Sequence, residues 1–123
     1  MLKTALIIGF GGGLGSILRY FTSVLVSKYW SSNFPLATFI VNSMGCLLIG
    51  FIIGLLEKNQ LSDSRLKWFL VTGICGGLTT FSTFGMENYN LFQNNNSLLA
   101  FVYIAMSVII GLLAIWLGIF LSK

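Results

Sequence analysis

The side chains in this chain that could do chemistry are few, and most are hydroxyls, amides and aromatic rings. There is no histidine, and Glu57, Asp63 and Glu87 are the three acids. All three fall at or near the ends of apolar segments, with no pairing suited to acid/base work. Side-chain catalysis is therefore not expected, and Glu87, just beyond the paired rings, either influences ion entry or simply caps the interface, the cap being the favoured reading. The densest polar chemistry lies in GGLTTFSTF, residues 76–84, inside an apolar stretch of membrane length. Gly76 and Gly77 weaken a helix, while Thr79, Thr80, Ser82 and Thr83 compete for backbone groups and can satisfy those that a break releases. The expected result is a helix interrupted near mid-membrane, whose free carbonyls are hard oxygen ligands for a cation. Beyond the break Phe81 and Phe84 are three apart and share a helix face. Their electropositive ring edges could contact a small anion without a full positive charge that would trap it. Ordinary apolar packing is the simpler alternative for the two rings.

Two further polar stripes lie in apolar surroundings. Asn42, with Thr38 one turn earlier, defines one face of the second segment, where an amide must find a partner in the bundle or in a water-filled path. Tyr103 and Ser107 are one turn apart on the fourth. Interhelical or backbone hydrogen bonds serving assembly would explain either stripe taken alone. The glycine-rich GFGGGLG near the start follows no strand and lacks a Lys-Ser/Thr ending, so it is not a phosphate loop. Gly9 and Gly13, Gly11 and Gly15, Gly50 and Gly54, and Gly73 and Gly77 are each four apart, the spacing that lets helix backbones approach closely in lipid. Cys46 and Cys75 lie inside apolar segments and read as small hydrophobes, with no disulfide or metal framework.

These residues must be carried by membrane helices. The chain has 123 residues, is 56% hydrophobic and holds seven Lys/Arg against three Asp/Glu, far below the charge content of a soluble domain. Four segments reach the roughly 20 residues needed to cross the hydrocarbon core: about 4–26, 35–56, 68–89 with a break near 76–80, and 98–121. The fold class is thus an all-α integral membrane protein, a single four-helix domain over residues 1–123. The first segment is too long and lacks the cleavage pattern for a signal peptide, so it reads as retained. The connection KYWSSNFP offers interfacial Tyr29 and Trp30, Ser/Asn caps and Pro35 at an early helical position; Asp63 reads as the cap of the third helix and Ser97 as that of the fourth. The net charge of +4 does not imply a nucleic-acid partner, because the basic residues flank the spans. Lys3, Lys58, Arg65, Lys67 and Lys123 fall on the side of the termini, against Lys28 and Arg19 on the other, which favours both termini in the cytoplasm.

The motifs GGGLGSILRY (11–20), FPLATFIVNSMGCLLIG (34–50) and GICGGLTTFSTF (73–84) resemble the Fluc/CrcB fluoride channels in order, spacing and chain length, across essentially the whole chain. The resemblance implies a passive, fluoride-selective channel that exports cytoplasmic fluoride down its electrochemical gradient and so lowers its toxicity. It implies a multi-pass protein of a bacterial cell membrane, built as an antiparallel, dual-topology dimer with two pores. On the matching positions, Phe81 and Phe84 would line the fluoride pathway with Asn42, Thr80, Tyr103 and Ser107, and Asn42 would donate to the ion. Gly76 and Thr79 would give backbone carbonyls from both subunits to a central structural sodium ion, and Arg19 would sit near a vestibule and concentrate anions. Beyond Ser107 the positions one turn apart are Gly111 and Ile115, so the polar stripe of the fourth helix is not continued. The five-to-two charge bias also departs from the balance expected of a chain that inserts both ways. The partner is therefore either a second copy, in a homodimer, or an oppositely oriented homologue, in a heterodimer.

Two other classes compete. A small multidrug-type proton-coupled transporter has four helices but needs a carboxylate in the membrane, and the first helix here has none. A non-transporting membrane assembly subunit would account for the glycine packing but not for an interrupted helix followed by paired phenylalanines.

Overall fold

The computed structural model describes residues 1–59 and 64–123, so the expected Asp63 cap lies outside the described residues. Helix α1 runs Leu2–Tyr29, α2 Leu36–Lys58 and α6 Ser97–Leu121. Between α2 and α6 the third span is composite: α3 (Ser64–Lys67), an eight-residue π-helical segment Trp68–Cys75, the short α4 (Gly76–Leu78) and α5 (Phe81–Gln93). The described residues form no strand, and four spans (Leu2–Tyr29, Leu36–Lys58, Arg65–Gln93 and Ser97–Leu121) are long and apolar enough to cross a membrane. Most ends extend past the expected limits because backbone hydrogen bonding continues through polar residues, such as Asn88–Gln93, where hydropathy has already fallen.

The caps differ from the sequence expectation. Pro35 is the N-cap of α2 rather than a helical residue, and α2 has no side-chain cap bond. In the connection before it, Ser32 Oγ accepts from the Phe34 N–H (3.3 Å) and Trp30 Nε1 donates to the Phe34 carbonyl (2.9 Å). The N-cap of α6 is Asn96, not Ser97, again without a side-chain cap bond. Asn95 before it holds φ 60°, a left-handed turn position that asparagine tolerates better than most residues, and the Asn96 N–H closes the turn on the Leu91 carbonyl (2.8 Å).

Alternate spans lie side by side and parallel. A Cβ on Gly11 would fall 2.6 Å from the Phe69 carbonyl and 3.1 Å from Gly73 Cα, and one on Gly15 would fall 2.7 Å from the Leu78 N–H. A Cβ on Gly77 would lie 3.0 Å from Gly12 Cα. Backbone thus meets backbone between α1 and the first half of the third span, as small-residue packing allows. Helices α2 and α6 pair the same way: a Cβ on Gly50 would come 3.0 Å from Ile115 Cα and one on Gly118 2.6 Å from the Phe51 N–H. Gly9 and Gly13 meet nothing within 4 Å in the chain itself, so this pair does not serve the packing of spans within one copy. Two residues turn an α-helix by about 200°, so Gly9 and Gly13 face away from the side on which Gly11 and Gly15 dock.

The enclosed core is small and sits where α5 folds back on α6. Leu91, Ala100 and Tyr103 are buried, with Phe34, Phe39, Phe84 and Leu99 packed against them. Edge-on aromatic contacts bind this cluster: Phe34 to Phe39 at 5.6 Å, Phe34 to Tyr103 at 5.3 Å and Phe84 to Tyr103 at 4.9 Å between ring centroids. Leu6, Phe10, Ile17, Leu112 and Trp116 are exposed, as suits helix faces whose solvent is lipid.

Substitution of Gly73 by valine should force α1 from the third span, because its Cβ would meet Gly11 Cα at 3.0 Å. The expected destabilisation is about 1–3 kcal/mol, read as a lowered melting temperature of the detergent-purified protein. Gly9→Val should leave that temperature close to the parent value, and equal losses at both sites would contradict the packing described.

Candidate functional site at the helix break

The third span is interrupted at Thr79 and Thr80, both extended (φ −88°, ψ 155° and φ −150°, ψ 122°). A break at this depth releases backbone donors and acceptors that lipid cannot satisfy. Several of these are met by named partners. The Thr79 N–H and Oγ1 both donate to the Cys75 carbonyl, at 3.0 and 2.9 Å. Arg19 Nε donates to the Gly77 carbonyl at 3.0 Å, placing a cation at the carbonyl end of the upper half-helix, where the helix dipole favours it. Thr80 is the N-cap of α5, its Oγ1 accepting from the Thr83 N–H at 3.2 Å. Thr80 Oγ1 also donates to Thr83 Oγ1 at 3.1 Å and lies 3.4 Å from Ser82 Oγ.

The remaining groups belong to Asn42. Its Oδ1 accepts from the Thr80 N–H at 2.8 Å, and its Nδ2 donates to the Thr80 carbonyl at 3.2 Å. A backbone N–H only donates and a carbonyl only accepts, so the pair fixes which way the amide points. One amide hydrogen stays outside this clamp. Among the described residues, the carbonyls of Gly76 and Thr79 take no side-chain donor.

One turn back on α2, Thr38 Oγ1 donates to Glu87 Oε2 at 2.8 Å, and Tyr103 OH donates to Glu87 Oε1 at 2.9 Å. Glu87 is therefore not the interfacial cap expected from the sequence. It is half-buried among α2, α5 and α6, with both carboxylate oxygens bonded to hydroxyls of the chain. Sequence reasoning missed this because hydropathy marks the acid as a boundary. The available signal was its spacing: Phe84 and Glu87 are three apart, on one face of α5.

A cavity of about 450 Å³ opens at the break. Of the residues singled out from the sequence, Asn42, Gly76, Thr79, Thr80, Phe81, Phe84 and Ser107 all line it, as do Cys46 and Cys75. Phe81 and Phe84 lie 5.9 Å apart at 54°. Phe81 is 83% exposed, whereas Phe84 is packed edge-on against Tyr103. Ser107 Oγ is buried without a hydrogen-bond partner. Tyr103 and Arg19 are not in the lining: Tyr103 is fully buried behind Phe84, and Arg19 is held against the Gly77 carbonyl.

The fold and this site define a multi-pass membrane protein whose interrupted span presents rings, hydroxyls and an amide to one cavity, with no basic side chain among the described residues of its lining. Residues 6–119 match the family described as CrcB-like protein, Camphor Resistance (CrcB), and the chain belongs to that family. It is 52% identical over 122 residues to the fluoride-specific ion channel FluC of Flavobacterium psychrophilum, covering 99% of this chain and 98% of that one. The protein of the same name from Azobacteroides pseudotrichonymphae is 44% identical over 100% of this chain and 98% of its own. That from Clostridium perfringens is 44% identical over 95% and 91%.

Asn42→Ala should remove both clamp bonds and leave the Thr80 N–H and carbonyl without partners, at a cost of about 1–3 kcal/mol per unsatisfied group. The expected outcome is a melting temperature several degrees below the parent's with the α-helical circular dichroism kept. An unchanged melting temperature would show that the clamp does not hold the break.

Proposed function

We propose that the chain is a fluoride-selective channel that lets cytoplasmic fluoride leave down its electrochemical gradient. The observation that carries this reading is the convergence of Asn42, Thr80, Phe81, Phe84 and Ser107 on one cavity, in a chain whose relatives are named fluoride-specific ion channels. Fluoride is small and strongly hydrated, so dehydration requires replacement donors, and conduction requires that each hold it weakly enough for release. The remaining Asn42 amide hydrogen, the Ser107 hydroxyl and the edges of Phe81 and Phe84 are uncharged contacts of that kind. Tyr103, behind Phe84, sets the tilt of that ring and marks where the path turns toward Glu87. Arg19 serves the anion in two ways in this reading: its charge raises the local potential near the break, and its bond to Gly77 keeps the break in shape.

The working unit is an antiparallel dimer. Phe81 lines the polar cavity at the break and is 83% exposed, and a second copy or an oppositely oriented homologue would close that cavity against lipid. A structural sodium ion fits the interface. The Gly76 and Thr79 carbonyls of one copy give two hard oxygens free of side-chain donors, and a second copy would double them, a donor set suited to a hard cation. Its contribution is to hold the two broken helices together.

The test is survival of fluoride. Cells lacking their own fluoride exporter should grow in fluoride when this chain is expressed, and Phe84→Ala should abolish the rescue while still reaching the membrane as a dimer on native gels. The substitution should cut fluoride export at least roughly ten-fold, equivalent to about 1.4 kcal/mol on the barrier. Full rescue by Phe84→Ala would remove the ring from the pathway.

A further inference from the structure

A second cavity, of about 590 Å³, lies at the end of the bundle opposite the termini. Its lining is unlike that of the first: Asn33 from the α1–α2 connection, Asn90 and Asn94 one turn apart at the end of α5, Asn96 before α6, and Glu87. Phe84 lines the first cavity, packs edge-on to Tyr103 at 4.9 Å, and Tyr103 donates to Glu87, which lines the second. The chain of contacts Phe84–Tyr103–Glu87 thus links a ring-lined space to a carboxamide-lined one.

We propose that this carboxamide cavity is an aqueous mouth of the anion path, where an ion leaving the rings exchanges protein donors for water. The inference rests on the channel reading above. Among the described residues no Lys or Arg lines the cavity, and the one formal charge in its lining is Glu87. A mouth built this way repels anions unless neutral donors offset the carboxylate. Both oxygens of Glu87 already accept hydroxyls from Thr38 and Tyr103, and each asparagine adds two N–H donors on a rotatable amide. Such donors hold a small anion without trapping it, which conduction requires. The same amides could instead turn their carbonyls toward a cation held by Glu87, and the two occupants respond to added charge with opposite signs.

The experiment measures fluoride efflux from liposomes at low and high ionic strength for the parent, Asn94→Asp, the near-isosteric pair Asn90→Asp/Asn94→Asp, and Asn94→Lys. All four are first matched for dimer elution on a sizing column, and Asn94 is exposed, so the single variants keep the comparison available if the pair does not fold. The double aspartate variant should lower efflux roughly ten-fold at low ionic strength, the loss should shrink at high ionic strength, and the lysine variant should match or exceed the parent. Variants indistinguishable from a conducting parent would overturn the mouth but leave the channel standing. Aspartates that raise efflux would make the cavity a cation site. A parent that does not conduct, alone or co-reconstituted with an oppositely oriented homologue, would remove the channel reading itself and the mouth with it.

Discussion

The two hydrogen bonds between the Asn42 amide and the Thr80 backbone are the constraint on which the site depends. Lipid offers no partner for a released N–H or carbonyl, so a helix can be opened at mid-membrane only where the protein answers each group. Asn42 does this from a different span and with both ends of one side chain, which ties the position of the break to α2 rather than to the third span alone. The Cys75 carbonyl and the Thr80 hydroxyl complete the same task within the third span, and Arg19 does so from α1. With the backbone closed in this way, α5 restarts at a set angle and presents Phe81 and Phe84 to the cavity.

Close packing of alternate spans holds the elements on either side of the break in place. Glycine backbones of α1 seat the π-helical segment and α4, and α2 is seated against α6 by the same device. The polar face of α2 is then forced against α5, where Thr38 meets Glu87 and Asn42 meets Thr80. Glu87 in turn draws in Tyr103, whose ring sets Phe84. One face of α2 therefore fixes, through two polar contacts, both the start of α5 and the aromatic cluster farther along it.

Much of this was legible in the sequence, for reasons that differ by residue. Four spans follow from the length of the apolar runs, and the break near 76–80 from two glycines followed by hydroxyls. The cavity residues Asn42, Phe81 and Phe84 stood out because an amide and a ring pair in lipid need an explanation. The π-helical register of Trp68–Cys75 did not: WFLVTGIC is apolar but for Thr72 and carries no local signal for that register. Nor did spacing separate Gly9 and Gly13 from Gly11 and Gly15, since a four-residue repeat does not say which face meets a neighbour. Glu87 was misplaced because an acid ends an apolar run by hydropathy, while its hydroxyl partners lie on other spans. The caps at Pro35 and Asn96 shifted by a residue for a similar reason, the chain there being held by backbone turns rather than side chains.

The most direct test of the account is passive anion flux through the purified chain alone. Liposomes loaded with potassium fluoride or potassium chloride would be made permeable to potassium with valinomycin and followed with ion-selective electrodes. The account predicts rapid release of fluoride with chloride retained. Equal release of both ions, or no fluoride release even when an oppositely oriented homologue is co-reconstituted, would contradict it.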